Sequence, residues 1–149
     1  VMSADHYPYG LDKDEIDDLA GHEVDRTFEL YKSNLIIYAK GMEPAVIDRP
    51  ASSLDILPTI SNLMGLEFDS RLLMGRDIFS DAEPVVIFSN RSFLTDKGRY
   101  DSATREFTPS EGVELPEDYR TRISEEIDRQ FYFSTMILDR DYYATVLDR

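Results

Sequence analysis

The sequence predicts an α/β fold: a layered sheet with flanking helices, followed by a small antiparallel meander and a long C-terminal helix. Three observations predict it. Residues 34–39 (NLIIYA) form a short, continuously apolar run of the kind buried on both faces of a sheet. Residues 53–65 (SLDILPTISNLMG) carry apolar side chains at helical spacing between a polar cap and a glycine stop. From 93 onward, short β-prone runs separated by turn residues precede a periodic stretch that begins after Pro116.

In chain order, residues 1–4 (VMSA) read as the tail of a buried strand that began earlier, so the chain is expected to be a piece of a larger domain. Asp5 and His6 stand at its carboxyl end, where ligands collect in open α/β sheets. Pro8 and Gly10 mark a loop. Residues 12–20 place Ile16, Leu19 and Ala20 among acidic residues, the spacing of a one-sided surface helix, which Gly21 ends. The 34–39 strand closes at Lys40-Gly41, and a loop with Pro44 and Pro50 follows. The 53–65 helix has Pro58 near its first turn and Ile56, Leu57, Ile60, Leu63 and Met64 as its inward set. Residues 85–88 form a second buried strand, and 93–107 short strands with turns at Lys97-Gly98 and 102–104. The final helix runs to about Leu138, with Ile123, Ile127, Phe131 and Ile137 inward. The expected division is an α/β part over 1–90 and a meander with helix over 91–149.

Composition narrows the function. Hydrophobic residues at 42% and charged residues at 31% of 149 suit an ordinary globular domain. A net charge of −14 repels nucleic-acid phosphates and anionic membrane surfaces, and attracts divalent cations. The absence of cysteine excludes disulfides, thiolate metal sites and a cysteine nucleophile. The longest apolar run falls far short of the roughly 20 residues that span a bilayer.

Asp5-His6 is the best candidate for chemistry: an adjacent carboxylate and imidazole supply one oxygen and one nitrogen ligand, a set suited to Zn²⁺ or Mn²⁺. The plainer reading of the pair is a loop-opening Asp beside a hydrogen-bonded His. His22 follows a helix end, where an imidazole favours the dipole without any metal. Asp12, Asp14, Glu15, Asp17 and Asp18 lack the glycine and glutamate positions of a calcium loop and read as a solvated face. Tyr7, Tyr9, Tyr142 and Tyr143 suit either sugar contacts or ordinary packing. No nucleophile elbow and no glycine-rich phosphate loop occurs.

Taken together, SADHYPYG (3–10), the 34–39 strand, SSLDILPTISNLMGL (52–66) and LMGRDI (73–78) resemble, in that order, the C-terminal half of the sulfatase and alkaline-phosphatase-like superfamily. There a strand ends in Asp-His, and a helix of the form Ser-x-x-Asp-x-x-Pro-Thr-x-x-x-Leu-x-Gly follows later. Tyr7 directly after the pair resembles the lipoteichoic acid synthases, where typical sulfatases carry glycine. The 131–146 stretch is also similar to that family's tail.

The resemblance implies an extracytoplasmic catalytic domain of a bacterial membrane protein, anchored by N-terminal helices that this chain does not contain. It implies transfer of glycerol phosphate from phosphatidylglycerol to a polyglycerol-phosphate chain by a threonine alkoxide, with diacylglycerol leaving. Asp5 and His6 would hold one divalent ion, Mn²⁺ or else Mg²⁺ or Zn²⁺. The family's nucleophile, its glutamate ligand and its substrate-binding histidine precede the Asp-His pair, so no catalytic residue is expected within this chain and the chain alone is expected to be inactive. Thr59 resembles a structural position of the helix motif. Two other readings remain: a sulfatase or other phosphoester hydrolase of the same superfamily, and a non-catalytic module that binds cell-wall polymer.

Overall fold

The computed structural model of the chain describes residues 1–147. It divides into two compact units, Val1–Val46 and Ile47–Arg149. The described residues are mixed α and β, with one four-stranded antiparallel sheet and a long C-terminal helix.

The first unit holds helix α1, Lys13–Ala20. Asp12 caps it: its carboxylate accepts from Glu15 N (3.0 Å), and Glu15 Oε2 accepts from Asp12 N (2.9 Å), a reciprocal capping box. Gly21 closes the helix at φ 76°, a left-handed conformation that costs glycine little. Ile16 is half-buried, whereas Leu19 is 76% exposed. Asp17 faces back and accepts from Val24 N (2.9 Å) and from Arg26 Nη2 (2.5 Å), folding the following segment onto the helix.

The 34–39 run does not form the expected buried central strand. Met2 and Ile36 exchange both backbone hydrogen bonds at 2.9 Å, and this single antiparallel bridge is the extent of the pairing. Leu35 and Ile37 are half-buried, and Tyr38 is 83% exposed. A central strand needs hydrogen-bonding partners on both edges. Among the described residues only the 1–4 segment offers one, so the apolar run stays irregular.

In the second unit, a 3-10 turn at Ser53–Asp55 leads into α2, Ile56–Leu63. Gly65, at φ 66°, ends it as expected. The inward face differs from the expected one. Asp55, Pro58, Thr59 and Ser61 are buried; of the expected apolar set Ile56 and Ile60 are half-buried, while Leu57, Leu63 and Met64 are 47–68% exposed. The reason is polar: buried hydrogen bonds from Asp55 and Thr59 draw that face inward, as described below.

Strands β1 (Val85–Ile87), β2 (Phe93–Thr95), β3 (Gly98–Asp101) and β4 (Glu106–Pro109) pair antiparallel in chain order. The turns fall at the sequence-predicted places. The register aligns Ile87, Phe93, Tyr100 and Phe107 on one face. Because β1 pairs with β2, the expected boundary after residue 90 falls inside this sheet. Helix α3, Tyr119–Asp139, lays Tyr119, Ile123 and Ile127, spaced by four, against Phe93. Val85, Leu115 and Phe131 fill the margins, and Ile137 is half-buried. Full burial of side chains such as Phe93 and Ile123 stabilises by about 1.5–3 kcal/mol each. Asp141, at φ 45°, turns the chain into α4, Tyr142–Leu147.

Candidate metal-binding site

Residues 1–4 are exposed and form no strand, contrary to the expected buried strand tail; the isolated Met2–Ile36 bridge is the backbone pairing that precedes Asp5 and His6. Beyond it the chain turns through Pro8, whose carbonyl accepts from Leu11 N (3.2 Å). His6 Nδ1 lies 2.6 Å from the Tyr7 carbonyl, an arrangement satisfied when Nδ1–H donates. That leaves Nε2 facing Asp5 Oδ1 across 3.5 Å. A tetrahedral ion with ligand distances near 2.0 Å separates its ligands by about 3.3 Å, so the donor pair fits a shared divalent ion. Metal-bound histidines ordinarily carry a carbonyl contact of this kind at their other ring nitrogen.

The pair is open to solvent, with side-chain exposures of 89% for Asp5 and 47% for His6. Among the described residues no three His, Asp or Glu side chains converge on one point. Asp5 and His6 by themselves therefore do not make up a complete metal site among the described residues. Around them, the His6 and Tyr9 rings stack at 4.4 Å and 18°. Tyr7 meets Tyr9 edge-on at 4.6 Å and Tyr31 at 5.6 Å.

The other residues singled out in the sequence are occupied elsewhere. His22 Nε2 lies 2.8 Å from Glu29 Oε1, and Nδ1 lies 3.1 Å from the Ala20 carbonyl. The Glu29 hydrogen bond raises the His22 pKa above its ordinary value. The acidic run has structural tasks at Asp12, Glu15 and Asp17. Val24 N–H, ahead of Arg26, holds the Asp17 carboxyl below the usual carboxylate range, against some burial. Tyr142 and Tyr143 pack edge-on against each other at 5.8 Å on α4, in the second unit.

Thr59 is structural. Its buried hydroxyl donates to the Asp55 carbonyl (2.6 Å) and accepts from Ile78 N (3.0 Å). Asp55 accepts from Ser52 N and Arg76 N, both at 2.7 Å. Asn62 Nδ2 donates to Asp77 Oδ2 (2.8 Å). Gly75 lets the two backbones touch: a Cβ there would lie 1.9 Å from the Leu54 carbonyl oxygen. The helix motif and the 73–78 segment thus form one hydrogen-bonded clamp. Arg76 extends it to α3 through Glu126 (2.5 Å).

Sequence reasoning missed a second hub at Glu83, which pairs with Lys97 (2.5 Å) and Arg122 (3.0 Å) and accepts from Tyr119 OH (3.0 Å). Burial pushes this carboxyl up, but the hydrogen bonds from Lys97, Arg122 and Tyr119 outweigh it and hold it at about 2. No local pattern marks a partnership that spans 14 to 39 residues.

No family model matches the chain. Lipoteichoic acid synthase 2 of Bacillus subtilis is 30% identical over 135 residues, an alignment covering 79% of this chain. Lipoteichoic acid synthase of Staphylococcus saprophyticus is 28% identical over 104 residues, covering 67% of this chain. The chain spans only 20% and 16% of the length of these two relatives.

Proposed function

Because this chain is a lipoteichoic acid synthase-like region over most of its length, we propose that it is part of a metal-dependent glycerol-phosphate transferase, with Asp5 and His6 as two of the metal ligands. The donor would be phosphatidylglycerol, the product a polyglycerol-phosphate polymer, and the setting the outer face of a bacterial membrane. Among the described residues no helix is long and apolar enough to cross a membrane, so anchoring would come from other parts of the protein.

One observation carries the reading: Asp5 Oδ1 and His6 Nε2 face each other across 3.5 Å, with Nδ1 tied to the Tyr7 carbonyl. When bound, a divalent ion such as Mn²⁺, Mg²⁺ or Zn²⁺ supplies positive charge that lowers a nucleophile's pKa and offsets charge on the phosphoryl oxygens. The chain's own part is to present a carboxylate and a neutral imidazole, and to fix the imidazole's tautomer through Tyr7. The Asp55–Thr59 clamp braces the 73–78 segment and takes no part in bond making. A nucleophile and the remaining ligands would come from outside residues 1–149, which makes the isolated chain inactive.

The test is diacylglycerol release from phosphatidylglycerol by the complete protein that carries this chain, with and without Mn²⁺, beside an Asp5→Ala, His6→Ala double variant. Metal-dependent release that disappears in the double variant is the expected result. Hydrolysis of a sulfate ester or a simple phosphate ester instead would move the protein to a sister activity. No turnover of any ester would leave polymer binding as its function.

A further inference from the structure

We infer that Tyr9 is a positioning residue for the metal site: its ring holds the His6 imidazole in the orientation that turns Nε2 toward Asp5. The inference rests on the proposed role of Asp5 and His6 as metal ligands. A histidine on an exposed loop has several rotamers open to it, and only some face the neighbouring carboxylate. Here the imidazole is fixed at two points. Its Nδ1 edge is held by the Tyr7 carbonyl at 2.6 Å, and its face is covered by Tyr9 at 4.4 Å with only 18° between the rings.

Tyr9 is itself held. Tyr7 packs edge-on against it at 4.6 Å and 73°, and Tyr31 packs edge-on against Tyr7 at 5.6 Å and 85°. Four rings, His6, Tyr9, Tyr7 and Tyr31, therefore form one row, and the row joins the loop to a residue beyond α1. The Pro8–Leu11 turn returns the chain so that residue 9 lies over residue 6. Pro8 limits the freedom lost in forming it. The phenol hydroxyl has no part in the stacking contact, so the ring face carries the effect. That face is electron-rich, and an imidazole polarised by a cation is held more strongly against it than a neutral one.

The experiment uses the 149-residue chain and Mn²⁺ alone. Paramagnetic broadening of the His6 imidazole proton signals during a Mn²⁺ titration reports affinity at that ring. Tyr9→Phe, which keeps the face, should stay within about twofold of the parent, and Tyr9→Leu should weaken binding by about 3- to 10-fold. The metal-free spectra give a second readout: Tyr9→Leu should move the His6 ring protons downfield by removing the stacked ring's shielding, while Tyr9→Phe leaves them in place. Far-ultraviolet circular dichroism confirms that α3 is retained in each variant. Equal Mn²⁺ affinity in Tyr9→Leu and the parent, with the His6 broadening lost in Asp5→Ala, overturns the role of Tyr9 and leaves the metal reading standing. His6 broadening unchanged in both Tyr9→Leu and Asp5→Ala overturns the two together.

Discussion

The Thr59 hydroxyl donates to the Asp55 carbonyl within its own helix and accepts from Ile78 N, nineteen residues away. One buried oxygen thereby joins α2 to the segment that follows Gly75. With Asp55 bonded to Arg76 N two residues earlier, the helix grips a stretch of backbone that pairs with no sheet. Backbone groups in such a segment need partners from side chains, because a buried N–H left unmade is costly.

Thr59→Val keeps the shape and removes the hydroxyl, so Ile78 N–H loses its acceptor. The expected loss is about 1–3 kcal/mol of stability, with Thr59→Ser milder at about 1 kcal/mol or less. The urea midpoint of the two variants checks this. Broadening of His6 by Mn²⁺ should be the same in Thr59→Val as in the parent, which separates a structural threonine from one that serves the metal site.

Gly75→Ala tests the same clamp through sterics. The new Cβ would meet the Leu54 carbonyl oxygen at 1.9 Å and Asp55 N at 2.7 Å, both rigid backbone atoms. The two strands of the clamp must part, and a destabilisation of at least about 1–3 kcal/mol is expected. Gly10→Ala, where a Cβ meets nothing within 4 Å, is the control and should fall within about 0.5 kcal/mol of the parent. Thermal or denaturant unfolding of the pair decides the matter.

What could be read in the sequence was local. The Gly21 and Gly65 stops, the turn at Lys97-Gly98 and the fourfold spacing of Ile123, Ile127 and Phe131 all act over a few residues, and the structure bears them out. Residues 34–39 failed because a central strand depends on neighbours that composition cannot supply. The inward face of α2 failed for a related reason. Apolar spacing pointed to Ile56, Leu57, Ile60, Leu63 and Met64, but only Ile56 and Ile60 are half-buried, because Asp55 and Thr59 have backbone partners 19 to 21 residues away that turn the helix toward them. At the candidate site, the Asp5-His6 dipeptide was visible, whereas the Tyr9 stack and the Tyr7 carbonyl contact arise only when the loop is folded.

Glu83 gives the second unit an acid-sensitive joint. Its carboxyl titrates at about 2 in the folded chain, against an ordinary value of 4.5. A depressed carboxyl means that the unfolded chain binds the proton first as pH falls. Its contribution is therefore complete above about 4.5 and is lost progressively as pH drops from there toward about 2. Glu83→Gln removes the Lys97 and Arg122 pairing at neutral pH. The variant should be less stable than the parent at pH 7, and its stability should fall less between those two values. Urea midpoints measured across the range would show converging curves, and parallel curves would refute this role for Glu83.

His22 and Glu29 offer the contrasting sign. The His22 pKa is raised from its ordinary 6.5, chiefly by the hydrogen bond to Glu29 and then by the Ala20 carbonyl. A raised imidazole stabilises the folded state fully below the unfolded value, and that contribution fades as pH rises through the folded one. Both side chains are substantially exposed, so the effect on global stability should be small. The informative measurement is the His22 titration itself, followed by NMR. Its midpoint should lie above 6.5 in the parent and return toward 6.5 in Glu29→Gln. Adding Mn²⁺ should broaden His6 and leave His22 sharp, because the nitrogens of His22 face Glu29 and Ala20. Broadening of His22 at the lower Mn²⁺ concentration would reverse the assignment and make it the metal ligand of this unit.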